Sequence, residues 1–222
     1  LIMIEALKAL GFEVEENHAD SKLRIVGLSS RIPNKMASIH VGNAGTAARF
    51  LTAFLGLQKG GTYELDGDPQ MYDRPIQGLL DALETLGAAK FIFHKKPGHF
   101  PFRMTTNGIS RNFAQVDASA SSQILSALLL VLPSAGADLK LHCPNVRPAY
   151  VSVTEATKKG FGIQTKHEDS GTYFIKSEAY KTPETGTYVI EPDLSAASYF
   201  LALSLLHGGQ LDIQNIPKEL IQ

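Results

Sequence analysis

Stretches of almost unbroken apolar residues alternate along this chain with stretches whose apolar positions follow a helical period. Three segments of the first kind each follow a turn of small residues: 50–55, 124–132 and 200–205. A helix without a polar stripe is typical of a position buried on every side, so we expect these first helices to lie inside the domain. The amphipathic segments 75–86 and 148–162 carry charges that include Lys158, and we expect their polar faces to contact solvent.

The two kinds of segment recur with a common spacing. Leu51, Leu125 and Leu201 hold the same place in the three apolar segments and lie about 75 positions apart, and the glycines that end the amphipathic segments are spaced alike. This period is longer than the roughly 20–50 residues of a solenoid repeat, so three such units are better interpreted as one pseudo-threefold domain. We expect the following repeat ranges, of which the last completes the first, circularly shifted unit: 1–36, 37–111, 112–186 and 187–222.

The middle unit shows the order of elements most clearly. Its pattern predicts a strand, a helix, a strand, a helix and two strands, at 38–41, 44–57, 62–66, 75–86, 90–94 and 102–105. Helices that link strands in this way are typical of parallel crossover connections, so each unit has the order βαβαββ. The sequence predicts an α/β fold with helices inside and three small sheets outside, and with the first helices starting on one common side.

A turn of small residues leads from the first strand of the middle unit into its first helix. Gly42 and Gly45 let backbone N–H groups approach a ligand closely, and the free N–H groups of a helix start favour an anion. Arg49, one turn further on, could bind phosphate or carboxylate with two hydrogen bonds. A glycine pair that only forms a tight turn explains the same pattern, and for the pair alone we favour that simpler interpretation.

The corresponding loops of the other units carry further polar groups, and a pseudo-threefold domain places the three loops side by side. Besides Asn43 and Thr46 of the first loop, the candidates are Ser119, Ser121, Ser122, Gln123, Asp193, Ser195 and Ser198. For each serine or aspartate alone, a helix cap is the leading interpretation. Three consecutive polar residues exceed what a cap needs, so 121–123 could hold a phosphate or a polyol.

Two arginines, Arg74 and Arg147, stand at equivalent loop positions directly before a proline that we place at the first position of a helix. They add positive charge to the same end of the domain. An ion pair with Asp68, Asp73 or Asp193 is an equally good interpretation of either arginine taken alone.

Charge and composition narrow the classes of partner. The formal net charge is −1 without a basic run, which gives no indication of binding to nucleic acid or to an anionic membrane. The longest apolar run, 124–133, is too short to span a bilayer. The single cysteine, Cys143, cannot form an internal disulfide, and the seven histidines lack metal-ligand spacing. We therefore expect a cytoplasmic protein that binds small molecules and no metal, with Cys143 as a buried thiol at a strand end.

Four motifs taken together are specific: Gly42-Asn43-Ala44-Gly45-Thr46, Asp73-Arg74-Pro75-Ile76, Ser121-Ser122-Gln123 and Glu191-Pro192-Asp193-Leu194-Ser195-Ala196-Ala197-Ser198-Tyr199-Phe200. With them, essentially the whole chain resembles the EPSP synthase family, the enolpyruvyl transferases of the shikimate pathway. The resemblance implies most of the N-terminal domain of a monomeric, cofactor-free enzyme. Two domains of three βαβαββ units would close on shikimate 3-phosphate and phosphoenolpyruvate.

The resemblance also assigns roles to single residues. It implies that phosphoenolpyruvate is bound by Asn43, Gly45, Arg74 and Gln123, and shikimate 3-phosphate by Ser121, Ser122, Gln123 and Tyr150. Thr46 and Arg49 match positions that shape the glycine-rich helix start. Arg147 stands where the family usually has a serine, and it could contribute positive charge instead. Gly45 and Thr46 resemble the loop of glyphosate-sensitive members.

The two ends of the chain suggest that it is part of a longer protein. It starts inside a helix without an initiator Met, and 215–222 begin a new segment after a strand. In the family, a Gly-Ser-Lys-Ser segment precedes this region, and a C-terminal domain carries the acid–base carboxylates. We therefore expect an excised domain that contains no catalytic acid or base and is inactive by itself.

Three alternatives stay open at this point. UDP-N-acetylglucosamine enolpyruvyl transferases share the architecture, but they carry a cysteine in a mobile loop where this chain has 68–75. RNA-terminal phosphate cyclases share the repeat unit, yet the basic surface and the histidine signature of that family are missing here. A non-catalytic module that binds a sugar phosphate or another anion would explain the helix-start loops without any chemistry.

Overall fold

The computed structural model describes residues 1–214 and 216, and this part contains six α-helices and ten strands. The helices are α1 (Ile2–Ala9), α2 (Gly45–Leu55), α3 (Gln77–Thr85), α4 (Ser122–Val131), α5 (Pro148–Gly160) and α6 (Leu194–His207). The strands are β1 (Val14–Asn17), β2 (Lys22–Ile25), β3 (Met36–His40), β4 (Lys59–Asp66), β5 (Ala89–Phe93), β6 (Phe102–Asn107), β7 (Phe113–Gln115), β8 (Leu139–His142), β9 (Lys166–Asp169) and β10 (Thr172–Ile175). The new segment predicted at 215–222 lies outside the described residues except for position 216.

Two complete βαβαββ units follow one another in the chain. The first forms a four-stranded sheet in the order β3-β4-β6-β5, and the second forms one in the order β7-β8-β10-β9. In both sheets the first two strands are parallel and the remaining pairs are antiparallel, as expected when a helix connects the first two strands. The predicted order of elements is confirmed in both units.

A third unit is predicted to be divided between the two ends of the chain. The order α1, β1, β2 repeats the helix and antiparallel strand pair that end each complete unit, and β1 pairs with β2 alone. At the other end, α6 holds the place of a first helix. The α/β class with this repeated unit is therefore confirmed, whereas the exact limits of the repeats remain a prediction.

The core lies between the sheets and the first helices of the two complete units. Burial alternates along β6, so only one face of its sheet is covered. Helices α2 and α4 pack against each other and bury most of their residues, including Leu51, Leu55, Leu125 and Leu128. The prediction of inner helices and outer sheets is correct for these two units.

Helix α6 differs from α2 and α4 because none of its residues is buried. The prediction of burial on all sides is wrong for this helix. An apolar helix is buried only if a sheet and neighbouring helices cover it. The chain segments directly before and after α6, 176–193 and 208–214, contain no strand. Tyr199 and Leu205 are accordingly about four-fifths exposed or more.

Two local predictions also need correction, and a third is confirmed. Lys158 does not lie on the wet face of α5, because its side chain is only 1% exposed. Helix α3 begins two residues after Pro75, so this proline is not the first helical residue, whereas Pro148 does open α5. Cys143 is the expected buried thiol directly after β8.

None of the helices found in residues 1–214 is long and apolar enough to cross a membrane.

Candidate anion-binding site

The connection between β3 and α2 is a tight turn, and the structure explains why glycine stands at two of its positions. Gly42 has a φ of 52°, in the left-handed region that favours glycine. Gly45 opens α2, and a Cβ atom there would lie 2.7 Å from the Arg49 Nη1 atom and closer still to the Arg74 guanidinium. The absence of a side chain at Gly45 therefore makes room for two arginines at one helix start.

A cleft of about 420 Å³ lies beside this helix start. It is formed where the loop before α3, the loop before α4 and the start of α5 meet. Ten residues line it: Arg49, Arg74, Pro75, Ser119, Ala120, Ser121, Ser122, Gln123, Arg147 and Tyr150. The two complete units thus bring their helix-start loops together, as the sequence predicts.

The third loop does not take part. Asp193 caps α6 by accepting a hydrogen bond from the Ala196 backbone N–H at 2.9 Å, and Ser198 donates to the Ser195 carbonyl. These residues are absent from the cleft lining, because α6 is not packed against α2 or α4. For Asp193, the interpretation as a helix cap is confirmed. The expected meeting of all three loops is not found within the described residues.

At the start of α4, the serines are not used as caps. Ser121 occupies the cap position, but its side chain makes no capping hydrogen bond. At α2 the cap position is held by Ala44, whose side chain has no acceptor. The first-turn N–H groups of both helices therefore lack a side-chain acceptor, and their partial positive charge favours an anion nearby.

Arg49 is buried and lies in the cleft wall. Its Nε donates to the Pro75 carbonyl at 3.1 Å, and Nη1 donates to the Gly45 carbonyl at 3.2 Å and to the Gln123 Oε1 atom at 2.8 Å. Burial, with a smaller contribution from repulsion by Arg74, lowers the pKa of Arg49 to about 10. The guanidinium thus stays charged at neutral pH, and its bonds join the start of α2 to the loop before α3 and to the start of α4.

Three further hydrogen bonds complete this network. Gln123 Nε2 donates to the Thr46 hydroxyl at 3.0 Å. Arg74 Nη1 donates to the Asn43 carbonyl at 2.7 Å and to its side-chain oxygen at 3.3 Å. Asn43, Gly45 and Thr46 therefore contact the residues that line the cleft, although they do not line it themselves.

The cleft is electropositive. Within residues 1–214, no acidic side chain lies within 4.0 Å of the guanidinium groups of Arg49, Arg74 or Arg147, so the alternative of an ion pair is not realised. No carboxylate is among the lining residues. Arg147 and Tyr150 are exposed at the cleft edge. Such a site can hold an anion through charge-assisted hydrogen bonds.

The structure also shows one polar group that the sequence did not indicate as part of the site. The Pro75 carbonyl accepts hydrogen bonds from both Nε and Nη2 of Arg49. It is available because α3 starts two residues later, which leaves this carbonyl outside the helix. The predicted helix start at Pro75 would have placed this carbonyl inside the helix, so the sequence did not indicate it as an acceptor.

Among the described residues, no group of three His, Cys, Asp or Glu side chains is arranged to hold a metal ion.

Comparison with known proteins identifies similar sequences over the whole length. The family model described as EPSP synthase (3-phosphoshikimate 1-carboxyvinyltransferase) matches residues 1–222. The chain is 39% identical over 218 residues to the 3-phosphoshikimate 1-carboxyvinyltransferase of Opitutus terrae, covering 97% of this chain and 50% of that protein. It is 36% identical over 224 residues to the enzyme of the same name from Sulfurovum sp., covering 99% of this chain and 52% of that protein.

Solved structures show the same fold. EPSP synthase from Acinetobacter baumannii matches with a TM-score of 0.69 and 23% identity over 90% of this chain and 43% of that one. The enolpyruvyl transferase NikO from Streptomyces tendae matches with a TM-score of 0.59 and 15% identity. The chain spans about half the length of the curated relatives it matches.

Proposed function

The chain belongs to the EPSP synthase family, and we propose that it supplies one half of the active site of an enolpyruvyl transferase. The reaction transfers the enolpyruvyl group of phosphoenolpyruvate to shikimate 3-phosphate and releases phosphate. The product, 5-enolpyruvylshikimate 3-phosphate, leads to chorismate and the aromatic amino acids. We use the term complete enzyme for this chain together with the second half that its relatives carry. We expect that enzyme to be a cytoplasmic monomer without a cofactor.

The observation that carries the proposal is a cleft that combines three arginines with amide and hydroxyl donors and contains no lining carboxylate. Both substrates are multiply charged anions, so this set of groups fits their charge. Phosphoenolpyruvate binds at Arg74, Asn43, Gly45 and Gln123 in this proposal. Arg74 is only partly exposed, and its partners in the chain are neutral oxygens, so it retains its charge for a ligand.

Shikimate 3-phosphate binds at the start of α4 in the same proposal. Ser121 and Ser122 hold its phosphate, supported by the free N–H groups of that helix start. Tyr150 lies beside the shikimate ring, and Gln123 stands between the two substrates. Arg147, at the N-cap position of α5, adds a guanidinium to the phosphate end of the cleft, where the family usually has a serine.

The chemistry adds a shikimate hydroxyl to the substituted vinyl carbon of protonated phosphoenolpyruvate and then eliminates phosphate from the tetrahedral intermediate. The residues of this chain contribute to that reaction by positioning both anions and by stabilising negative charge in a preorganised cleft. The ten lining residues include no carboxylate or histidine that could transfer the protons. In this proposal those groups come from the second half of the complete enzyme.

A measurement of phosphate release by the complete enzyme tests the proposed reaction. We expect release that requires both phosphoenolpyruvate and shikimate 3-phosphate. A titration with UDP-N-acetylglucosamine in place of shikimate 3-phosphate distinguishes the related transferase, because only the correct acceptor binds. Binding of neither acceptor, or phosphate release without one, would contradict the proposal.

The 222-residue chain by itself is expected to show no turnover with both substrates, because it provides cations and hydrogen-bond donors but no acid or base in the cleft. The measurement is steady phosphate release by the purified chain, with the complete enzyme at the same concentration as the positive control. Continuous release by the chain alone would show that the proton-transfer groups lie within it.

Gly45→Ala is expected to raise the KM for phosphoenolpyruvate in the complete enzyme about tenfold to a hundredfold, since the added Cβ must displace the Arg74 and Arg49 guanidinium groups. The fold should survive, because the atom nearest to the added Cβ belongs to the end of the partly exposed Arg74 side chain, which can shift. We also expect weaker inhibition by glyphosate, since a larger residue should crowd the inhibitor more than the substrate. Gly27→Ala is a matched control, because a Cβ there meets nothing within 4 Å. An unchanged KM and unchanged inhibition in Gly45→Ala would refute this prediction.

A further inference from the structure

The side-chain amide of Gln123 carries an oxygen and an NH₂ group that differ chemically but are nearly equal in shape. Its amide can present either an acceptor oxygen or donor N–H groups to the cleft, and these attract opposite kinds of ligand atom. In this structure Oε1 accepts from Arg49 and Nε2 donates to the Thr46 hydroxyl. Nε2 has a second N–H that makes no further hydrogen bond within the described chain. The orientation of this amide therefore decides what Gln123 offers to a ligand.

Only one of the two partners can decide that orientation. The Thr46 hydroxyl both donates and accepts, so it tolerates either end of the amide. The Arg49 guanidinium has donors only, so the group that faces it must be the oxygen. Arg49 is 3% exposed and fixed by the Pro75 and Gly45 carbonyls, so it cannot turn away to accommodate the other orientation.

From this geometry we propose that Arg49 is a positioning residue that makes Gln123 a hydrogen-bond donor to an anionic substrate. Arg49 then acts through Gln123, and it does not itself contact the ligand. The position of Arg49 one turn into α2 would instead suggest that this residue binds phosphate directly. The inference rests on the proposed function only for the identity of the anion.

A double-mutant cycle on the complete enzyme tests the inference through the KM for phosphoenolpyruvate. Arg49→Lys keeps the charge but cannot reach all three acceptors, and Gln123→Ala removes the amide. We expect each single variant to raise KM about tenfold, and the double variant to be no worse than Gln123→Ala within about a factor of two. Independent effects, which multiply to about a hundredfold in the double variant, would overturn the inference. So would an unchanged KM in Arg49→Lys combined with a lower Tm, because that result indicates a purely structural role.

A second variant tests the orientation while leaving Arg49 in place, in case Arg49→Lys does not fold. Gln123→Glu retains an acceptor for Arg49, so folding is preserved, but it turns the group facing the substrate into an acceptor. We expect KM to rise beyond the value for Gln123→Ala, by about a hundredfold over the parent enzyme, since like charges then meet. A KM equal to that of the parent would overturn the inference.

Arg111→Lys is the matched control, because this exposed arginine bonds the Thr85 carbonyl outside the cleft and should leave KM unchanged. If the parent enzyme transfers no enolpyruvyl group, the proposed function fails, but the inference does not fail with it. The same cycle is then measured as dissociation constants for inorganic phosphate, with the same expected non-additivity. Additive effects on phosphate binding would overturn the inference independently of the reaction.

Discussion

Arg74→Ala is expected to lower kcat/KM for phosphoenolpyruvate in the complete enzyme by roughly 10²–10³-fold, the loss that follows removal of one preorganised donor to a charged reacting group. Arg74 is held by two oxygens of Asn43 and has no carboxylate partner within the described residues. Its charge is therefore available to the ligand, and its position is fixed before the ligand arrives. Steady-state kinetics with both substrates provide the measurement.

The control for this variant is Arg103→Ala. Arg103 forms an ion pair with Glu64 on the outer face of the first complete sheet, with both side chains partly exposed, so its contribution to stability is small and its contribution to the cleft is nil. We expect kcat/KM to change less than about twofold in this control. A comparable loss in both variants would assign the effect of Arg74→Ala to the fold and not to the site.

Periodic features of the chain were predictable from the sequence. The recurrence of Leu51 and Leu125 at equal spacing identified two equivalent helices, and both are buried between sheets as expected. Leu201 recurs in the same way, yet α6 is exposed. The repeat spacing indicates which elements are equivalent in sequence, but the burial of a helix depends on the neighbouring elements that cover it. That dependence is a property of tertiary packing and is not contained in the segment itself.

The site was predictable as a set of residues but not as a network. The helix-start motifs placed Gln123, Ser121 and Arg74 in one cleft, and the structure brings them together. The bond from Arg49 to Gln123 joins positions that are distant in sequence, and the Pro75 carbonyl becomes an acceptor only because α3 starts late. Backbone acceptors carry no signature in the side-chain sequence, so arginine partners of this kind could not be foreseen.

Lys158 is the clearest case in which the charge of a residue concealed its place in the structure. The buried positions of α5 are Val151, Thr154 and Lys158, which lie on one face of the helix at spacings of three and four residues. The spacing thus placed Lys158 on the inner face, although its charge predicted the outer one. Its ammonium group donates to the Thr165 hydroxyl at 2.6 Å, and burial lowers its pKa to about 8 despite the nearby Glu155.

Lys158→Met is therefore expected to raise the free energy of unfolding at pH 7 by about 2 kcal/mol, since a shift of one pKa unit corresponds to about 1.4 kcal/mol and the lost bond to Thr165 offsets part of the gain. Below pH 8 the lysine is charged in both states, and only the folded state buries that charge. Between pH 8 and the ordinary lysine pKa, the unfolded state binds more protons, so the folded parent regains stability as pH rises. The advantage of Lys158→Met should accordingly shrink over this interval.

Denaturant unfolding of the chain and of Lys158→Met at pH 7, 8, 9 and 10 measures this difference. Burial raises the pKa of Cys143, and it raises the pKa of Tyr180 to about 12, so both groups make the folded state less stable at high pH. They are present in both proteins and cancel in the comparison. Lys159→Met, at the exposed neighbouring position, should change stability by less than about 0.5 kcal/mol at every pH. A lower stability of Lys158→Met at pH 7 would show that the bond to Thr165 outweighs the burial of the charge, and that Lys158 supports the fold as a cation.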